Sequence, residues 1–124
     1  MTALETALAF MASWNVPNNF ETSFNKYITP DCLYENVGLS KTKGVEEAVA
    51  VFDEFMKQCP FVCIDMDILS IAVTGDAILM ERIEYLNSAD GKTLFNVPVM
   101  GIIKVRNDRV YEWRDYFDTV PWST

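Results

Sequence analysis

Three turn pairs divide the second half of the chain: Gly75-Asp76, Asp90-Gly91 and Asn107-Asp108. Each is a hairpin-type dipeptide, and together they separate four long segments at about 61–73, 77–87, 93–106 and 109–118. These segments are rich in Val, Ile, Phe, Tyr and Trp and read as strands. Connections this short allow only antiparallel neighbours, so half the chain is committed to a four-stranded meander. One face of such a sheet needs covering, and the first half supplies helices for it. Thr2 and Glu5 form a capping-box pattern, after which Leu4, Leu8, Met11 and Ala12 follow helical spacing to about Asn15. Pro17 and the Asn pair open a second helix carrying Phe20, Phe24 and Tyr27, and Thr29-Pro30-Asp31 ends it. Cys32 to Val37 reads as a short strand and Gly38 to Gly44 as a polar loop. Gly44 to Lys57 is a third helix with the apolar stripe Val45, Val49, Phe52 and Met56. Glu46 and Glu47 in its first turn and Lys57 in its last complement the helix dipole. The expectation is a single α+β domain spanning 1–124. Its strongly curved sheet forms a cone, with helices packed on the concave side and enclosing one pocket.

Composition then narrows the chemistry. With 50% hydrophobic residues the chain is too apolar for intrinsic disorder. A net charge of −8 argues against a nucleic-acid partner. No apolar run approaches the roughly 18 residues of a membrane span, and MTALETALAF lacks the basic start of a signal peptide. The chain contains no histidine, which removes Ser-His-Asp and Cys-His nucleophilic systems and every imidazole zinc site. Acid–base chemistry would fall to carboxylates, Tyr, Lys or Cys. Cys32, Cys59 and Cys63 contain no C-x-x-C spacing and read as reduced thiols of a cytoplasmic protein.

Strand alternation places some of the carboxylates. In the last strand Tyr111, Trp113, Asp115 and Phe117 share one face; Val110, Glu112, Arg114, Tyr116 and Asp118 share the other. The aromatic face is the natural inner one, and it carries Asp115 inward. In the 77–87 strand, Ile78, Met80, Arg82, Glu84 and Leu86 share a face, opposite Leu79, Glu81, Ile83 and Tyr85. Alternation alone does not decide which of these faces is buried. If it is the first, Arg82 can hydrogen-bond both Asp115 and Glu84 and offset the cost of burying them. The plainer alternative is a solvated Arg82–Glu84 pair and a hydrogen-bonded core carboxylate at Asp115. Tyr34 and Asn36 share a face in the early strand, opposite Leu33 and Val37, and could hold a water near one carboxylate; spacing alone does not show that they approach it.

The stretches YITPDCLYENVG (27–38), MERIEYL (80–86), FNVPVMG (95–101) and WRDYFD (113–118) resemble, in order and spacing, the limonene-1,2-epoxide hydrolase family of the nuclear-transport-factor-2-like (SnoaL-like) superfamily. WRDYFD is the most specific of the four. The resemblance runs from about Leu8 to Phe117 and implies a curved mixed sheet around a pocket. It also implies one-step addition of water to an epoxide without metal, cofactor or covalent intermediate. By motif, Asp115 would be the base, Tyr34 and Asn36 would position the water, and Arg82 would bridge the acids. Glu84 would be the proton donor. The family pattern has Asp at that position, so Glu84 departs from it by one methylene. The candidate pocket wall is Leu8, Met11, Trp14, Phe52, Met56, Met80, Leu86, Val97, Val99 and Phe117, which suits a small or medium apolar epoxide. The resemblance further implies a homodimer. The 97–106 strand supports this: it is apolar on both sides for part of its length, with Val97, Val99, Ile103 and Val105 on one and Met100 and Ile102 on the other.

Two other functions fit the same cone. One is an epoxide-opening cyclase or ketosteroid-isomerase-like enzyme, and the other is a non-catalytic ligand-binding module, because fold does not fix function. Asp115, Arg82 and Glu84 lying apart, or on the outer sheet face, would remove both enzyme readings.

Overall fold

A computed structural model describes residues 1–123. The capping box forms as the sequence indicates: the Glu5 amide donates to Thr2 Oγ1 at 3.0 Å and the Thr2 amide to Glu5 Oε1 at 2.9 Å. It opens α1 (Ala3–Ala12), which tightens into a 3₁₀ turn at Ser13–Asn15. α2 spans Phe20–Tyr27 and α3 spans Val45–Gln58. The strands are β1 (Ile28–Asn36), β2 (Ser40–Lys43), β3 (Cys63–Thr74), β4 (Ala77–Asn87), β5 (Thr93–Arg106) and β6 (Arg109–Tyr116). They form one curved open mixed sheet in the order β2-β1-β6-β5-β4-β3. The meander predicted from the turn pairs is its β3–β6 half. β1 joins the edge of that meander parallel to β6, and the helices cover the concave face.

The structure corrects the sequence reading in four places. β1 starts at Ile28, immediately after α2, and runs through Pro30. The ladder to β6 is interrupted between Ile28 and Leu33, so the proline sits where no ladder donor is required. The segment read as a polar loop contains β2, whose burial pattern alternates although its SKTK sequence has no apolar residue. The last strand ends at Tyr116, so Phe117 and Asp118 lie beyond it. The fourth correction is a bulge: Lys104 pairs with Glu112 but Val105 pairs with Val110, leaving Tyr111 as an extra residue on β6. Alternation therefore slips, and Val110 is fully buried. Tyr111 faces outward and donates its hydroxyl to Asp76 Oδ2 at 2.7 Å. Downstream of the bulge the expected phase holds, with Trp113 and Asp115 inward.

Aromatic rings from the helices and from β6 build the core above the sheet. Phe10 packs edge-on against Trp14 and Trp113, with centroids 5.0 and 5.2 Å away, and Phe24 meets Phe52 at 5.0 Å. Ring pairs of this geometry add stabilisation beyond the area they bury.

Candidate active site

Alternation could not decide which face of β4 is buried. The tertiary structure does: Ile78, Met80, Arg82, Glu84 and Leu86 all point into the cone and are buried. Arg82 extends from β4 across β5 to β6. Its Nε donates to Glu84 Oε2 at 2.8 Å and its Nη2 to Asp115 Oδ1 at 2.9 Å. Nη2 also lies 2.8 Å from Glu84 Oε2, so one nitrogen stands between the two carboxyl groups. Arg82 is 1% exposed, Asp115 5% and Glu84 9%. The three charged residues are therefore together, buried and on the concave face.

The second oxygen of Asp115 is also occupied. Trp113, two residues earlier on the same strand face, donates its indole N–H to Oδ2 at 3.1 Å. Asp115 thus accepts from two side-chain donors, Arg82 and Trp113. Glu84 has only the arginine. Burial pushes its carboxyl above the usual range and the Asp115 charge adds to that push, against the pull of Arg82. Burial pulls the Arg82 guanidinium down, but the facing carboxylates outweigh it, and the net effect holds the proton more firmly. The two carboxyl groups thus sit in unequal surroundings about one fixed cation: Asp115 accepts from two side chains and Glu84 from one.

β1 brings Tyr34 and Asn36 beside this group. In the parallel ladder Tyr34 pairs with Trp113 and Asn36 with Asp115. The register stacks the Tyr34 ring on the Trp113 indole, centroids 3.8 Å apart and planes 15° from parallel. Burial pushes the Tyr34 phenol well above its ordinary pKa, and the Asp115 charge adds to this. Tyr34 therefore remains a hydrogen-bond donor. Asn36 is oriented by its amide, which donates to Ser40 Oγ at 3.1 Å. That partner comes from β2, the strand sequence reading missed.

Tyr34, Asn36, Glu84 and Asp115, though not Arg82, line a cavity of about 40 Å³. Of the predicted wall, Trp14, Phe52, Leu86, Val97, Val99 and Phe117 line it. Leu8, Met11, Met56 and Met80 do not. Met11 and Met80 are core residues at 1% exposure, and Leu8 and Met56 are partly buried residues packed against the core. On α3 the neighbouring Phe55 faces the cavity instead of Met56. The sequence reading also missed Phe61, Ile64 and Trp122 as wall residues. Trp122 lies in a 3₁₀ turn (Val120–Trp122) beyond the last strand, where no periodicity marks a side chain as inward. Strand alternation did mark Trp113 as inward, two positions from Asp115. Among the described residues no group of three or more Cys, Asp or Glu side chains is placed to hold a metal ion. Among the described residues no helix is long and apolar enough to cross a membrane.

A curved mixed sheet roofed by three helices, with polar residues at the closed end of an apolar pocket, is the SnoaL-like, NTF2-like class of cone fold. A SnoaL-like protein from a Jannaschia species shares this fold, with a TM-score of 0.75, 16% identity, and coverage of 95% of this chain and 86% of that one. Within the class, the limonene-1,2-epoxide hydrolase catalytic-domain model matches residues 2–122, and the chain belongs to that family. The chain is 32% identical to epoxide hydrolase EphG of Mycobacterium tuberculosis over 88 residues, which are 71% of this chain and 56% of that protein. The match thus spans little more than half of that relative's length. The structure of an M. tuberculosis LEH-like epoxide hydrolase superposes with a TM-score of 0.71 at 27% identity, covering 94% of this chain and 83% of that one.

Proposed function

We propose that this chain is a single-domain epoxide hydrolase that adds water to small or medium, mostly apolar epoxides in one step. The observation that carries the reading is the buried Asp115–Arg82–Glu84 chain, whose two carboxylic residues line a mostly apolar cavity. Tyr34 and Asn36 hold a water beside Asp115. The Asp115 carboxylate takes a proton from that water as its oxygen forms a bond to an epoxide carbon. The C–O bond on the opposite side breaks, and Glu84 delivers its proton to the departing oxygen. The product is a vicinal diol, with Asp115 now protonated and Glu84 ionised. The proton then returns from Asp115 to Glu84 through solvent, which restores the starting state, while Arg82 stays charged throughout. General acid–base help of this kind contributes roughly 10²- to 10⁴-fold for each group.

Hydrolysis of a panel of cyclic and terpene epoxides in ¹⁸O-water tests the proposal. Labelled diol from the wild type, and none from Asp115→Asn, is the expected result. An unlabelled cyclic ether or an isomerised product would instead point to a cyclase or isomerase. No turnover with any epoxide would leave a ligand-binding role.

The homodimer belongs to the same proposal. Val97, Val99, Ile103 and Val105 point into the core, while Met100 and Ile102 face outward. With Leu79, Ile83 and Tyr116 they form an apolar patch on the convex face, with Glu81 paired to Met100, Arg114 paired to Ile102, and Lys104 and Glu112 beyond. A second copy of the same patch would cover it isologously. The three free thiols suit a reducing, cytoplasmic location.

A further inference from the structure

We propose that Gly101 is a positioning residue of this site: its missing side chain is the slot through which Arg82 reaches Asp115. The inference deepens the epoxide-hydrolase reading and rests on it for its catalytic arm alone. Arg82 stands on β4 and Asp115 on β6, with β5 between them. Two inter-strand spacings make this span about 10 Å, which an arginine can cross only by lying low over the middle strand. The register puts Gly101 directly opposite Asp115 on one side and Met80 on the other, while Arg82 pairs with Val99. A Cβ built at Gly101 would stand 2.6 Å from Arg82 Nη1, closer still to Asp115 Oδ1, and 3.4 Å from the Arg114 carbonyl oxygen. The ion pair thus occupies the volume a side chain at 101 would take.

Backbone conformation does not explain this glycine. Gly38, Gly44, Gly75 and Gly91 have positive φ; Gly101 does not. An alanine fits the local backbone, in a central strand where glycine is disfavoured. Only the space above Cα calls for glycine. Neither partner can yield easily: Arg82 is tied at Nε to Glu84, and Asp115 is tied at Oδ2 to Trp113. Making room for one methyl group therefore stretches the Arg82–Asp115 contact or turns Asp115 away from the cavity. Misplacement on the order of 1 Å can cost about 100-fold in rate. Gly101 does not line the cavity, so substrate binding should be spared.

The test compares wild type with Gly101→Ala by two readouts. The first is the Arg82 Nε–H resonance in ¹⁵N-labelled protein, which needs no substrate. The second is kcat and KM for whichever epoxide the wild type turns over. The expected result is a shifted, faster-exchanging Arg82 Nε–H signal and a kcat lowered about 100-fold, with KM changed by less than about twofold. An unchanged resonance, or wild-type kcat, overturns the proposal. If the wild type opens no epoxide, the hydrolase reading fails while the resonance still decides the role of Gly101. Should Gly101→Ala not fold, Arg82→Gln/Asp115→Ala supplies the background, because it removes both side-chain groups that a Cβ at 101 would meet. Adding Gly101→Ala to that background is then expected not to lower its melting temperature, and a further loss overturns the assignment.

Discussion

Trp113 donates its indole N–H to Asp115 Oδ2 from two residues upstream on the same strand face, at 3.1 Å. The same indole is stacked on Tyr34, so one side chain orients both the proposed base and a proposed water ligand. Trp113→Phe keeps most of the stacking area and removes only the donor. A hydrogen bond to a charged group is worth about 1.5–3 kcal/mol, which corresponds to roughly a 10- to 100-fold fall in kcat. Steady-state kinetics with KM unchanged would agree with this. An unaltered kcat would show that the bond does not support the base.

Glu84→Gln keeps the shape of the side chain and removes its acidity. Diol formation should fall by about 10²- to 10⁴-fold, while binding of the diol product, measured by calorimetry, should stay near wild type. Full activity in this variant would move the proton donor elsewhere.

Burial raises the Glu84 pKa in the folded protein. A raised carboxyl is protonated over a wider range when folded than when unfolded, so it stabilises the fold at pH below its unfolded value. That contribution is lost as pH rises through the folded value. If Glu84 is the donor, activity should fall over the same upper window. A pH–rate profile with a descending limb that coincides with the Glu84 titration seen by ¹³C NMR is the expected outcome. A rate that rises monotonically with pH would contradict it.

The cavity of about 40 Å³ is far smaller than the roughly 300 Å³ of a typical small-molecule site. Part of its wall must move to admit an epoxide. Trp122 is the best placed part. Its ring packs on Phe55 and Phe95 at 5.1 and 5.6 Å. The hydrogen bonds found in its turn all close within residues 118–123. Trp122→Ala should therefore shift preference towards bulkier epoxides, raising their kcat/KM relative to compact ones, and should lower the melting temperature. Equal loss for all substrates would assign Trp122 to stability alone.

Met100 is 43% exposed in the convex patch, between Tyr116 and Glu81. Sedimentation at micromolar concentration should show a dimer for the wild type and a monomer for Met100→Lys, with the circular dichroism spectrum unchanged. A monomeric wild type would leave that face without its proposed partner.

Local pattern carried much of this molecule. Three turn pairs, a capping box and strand alternation defined the meander, the helices and the inward phase of Trp113 and Asp115, because each depends only on near neighbours in the chain. The same reasoning failed at Tyr111, where a bulge in the β5–β6 ladder resets alternation, and at β2, whose polar residues pair only because β1 lies beside them. The buried face of β4 was equally undetermined, since Arg82 and Glu84 make either side of that strand look plausible from sequence.

What the sequence determined by itself was the class of fold and the identity of the acids, bases and donors at hand. Tertiary structure alone decided that Arg82 crosses a strand to join Asp115 to Glu84, that this contact fills the space above Gly101, and that Trp122 lines the cavity. Those relations join residues far apart in the chain through close packing. Whether a buried charge finds its partner depends on distances of a few ångströms across the sheet, which no local periodicity encodes.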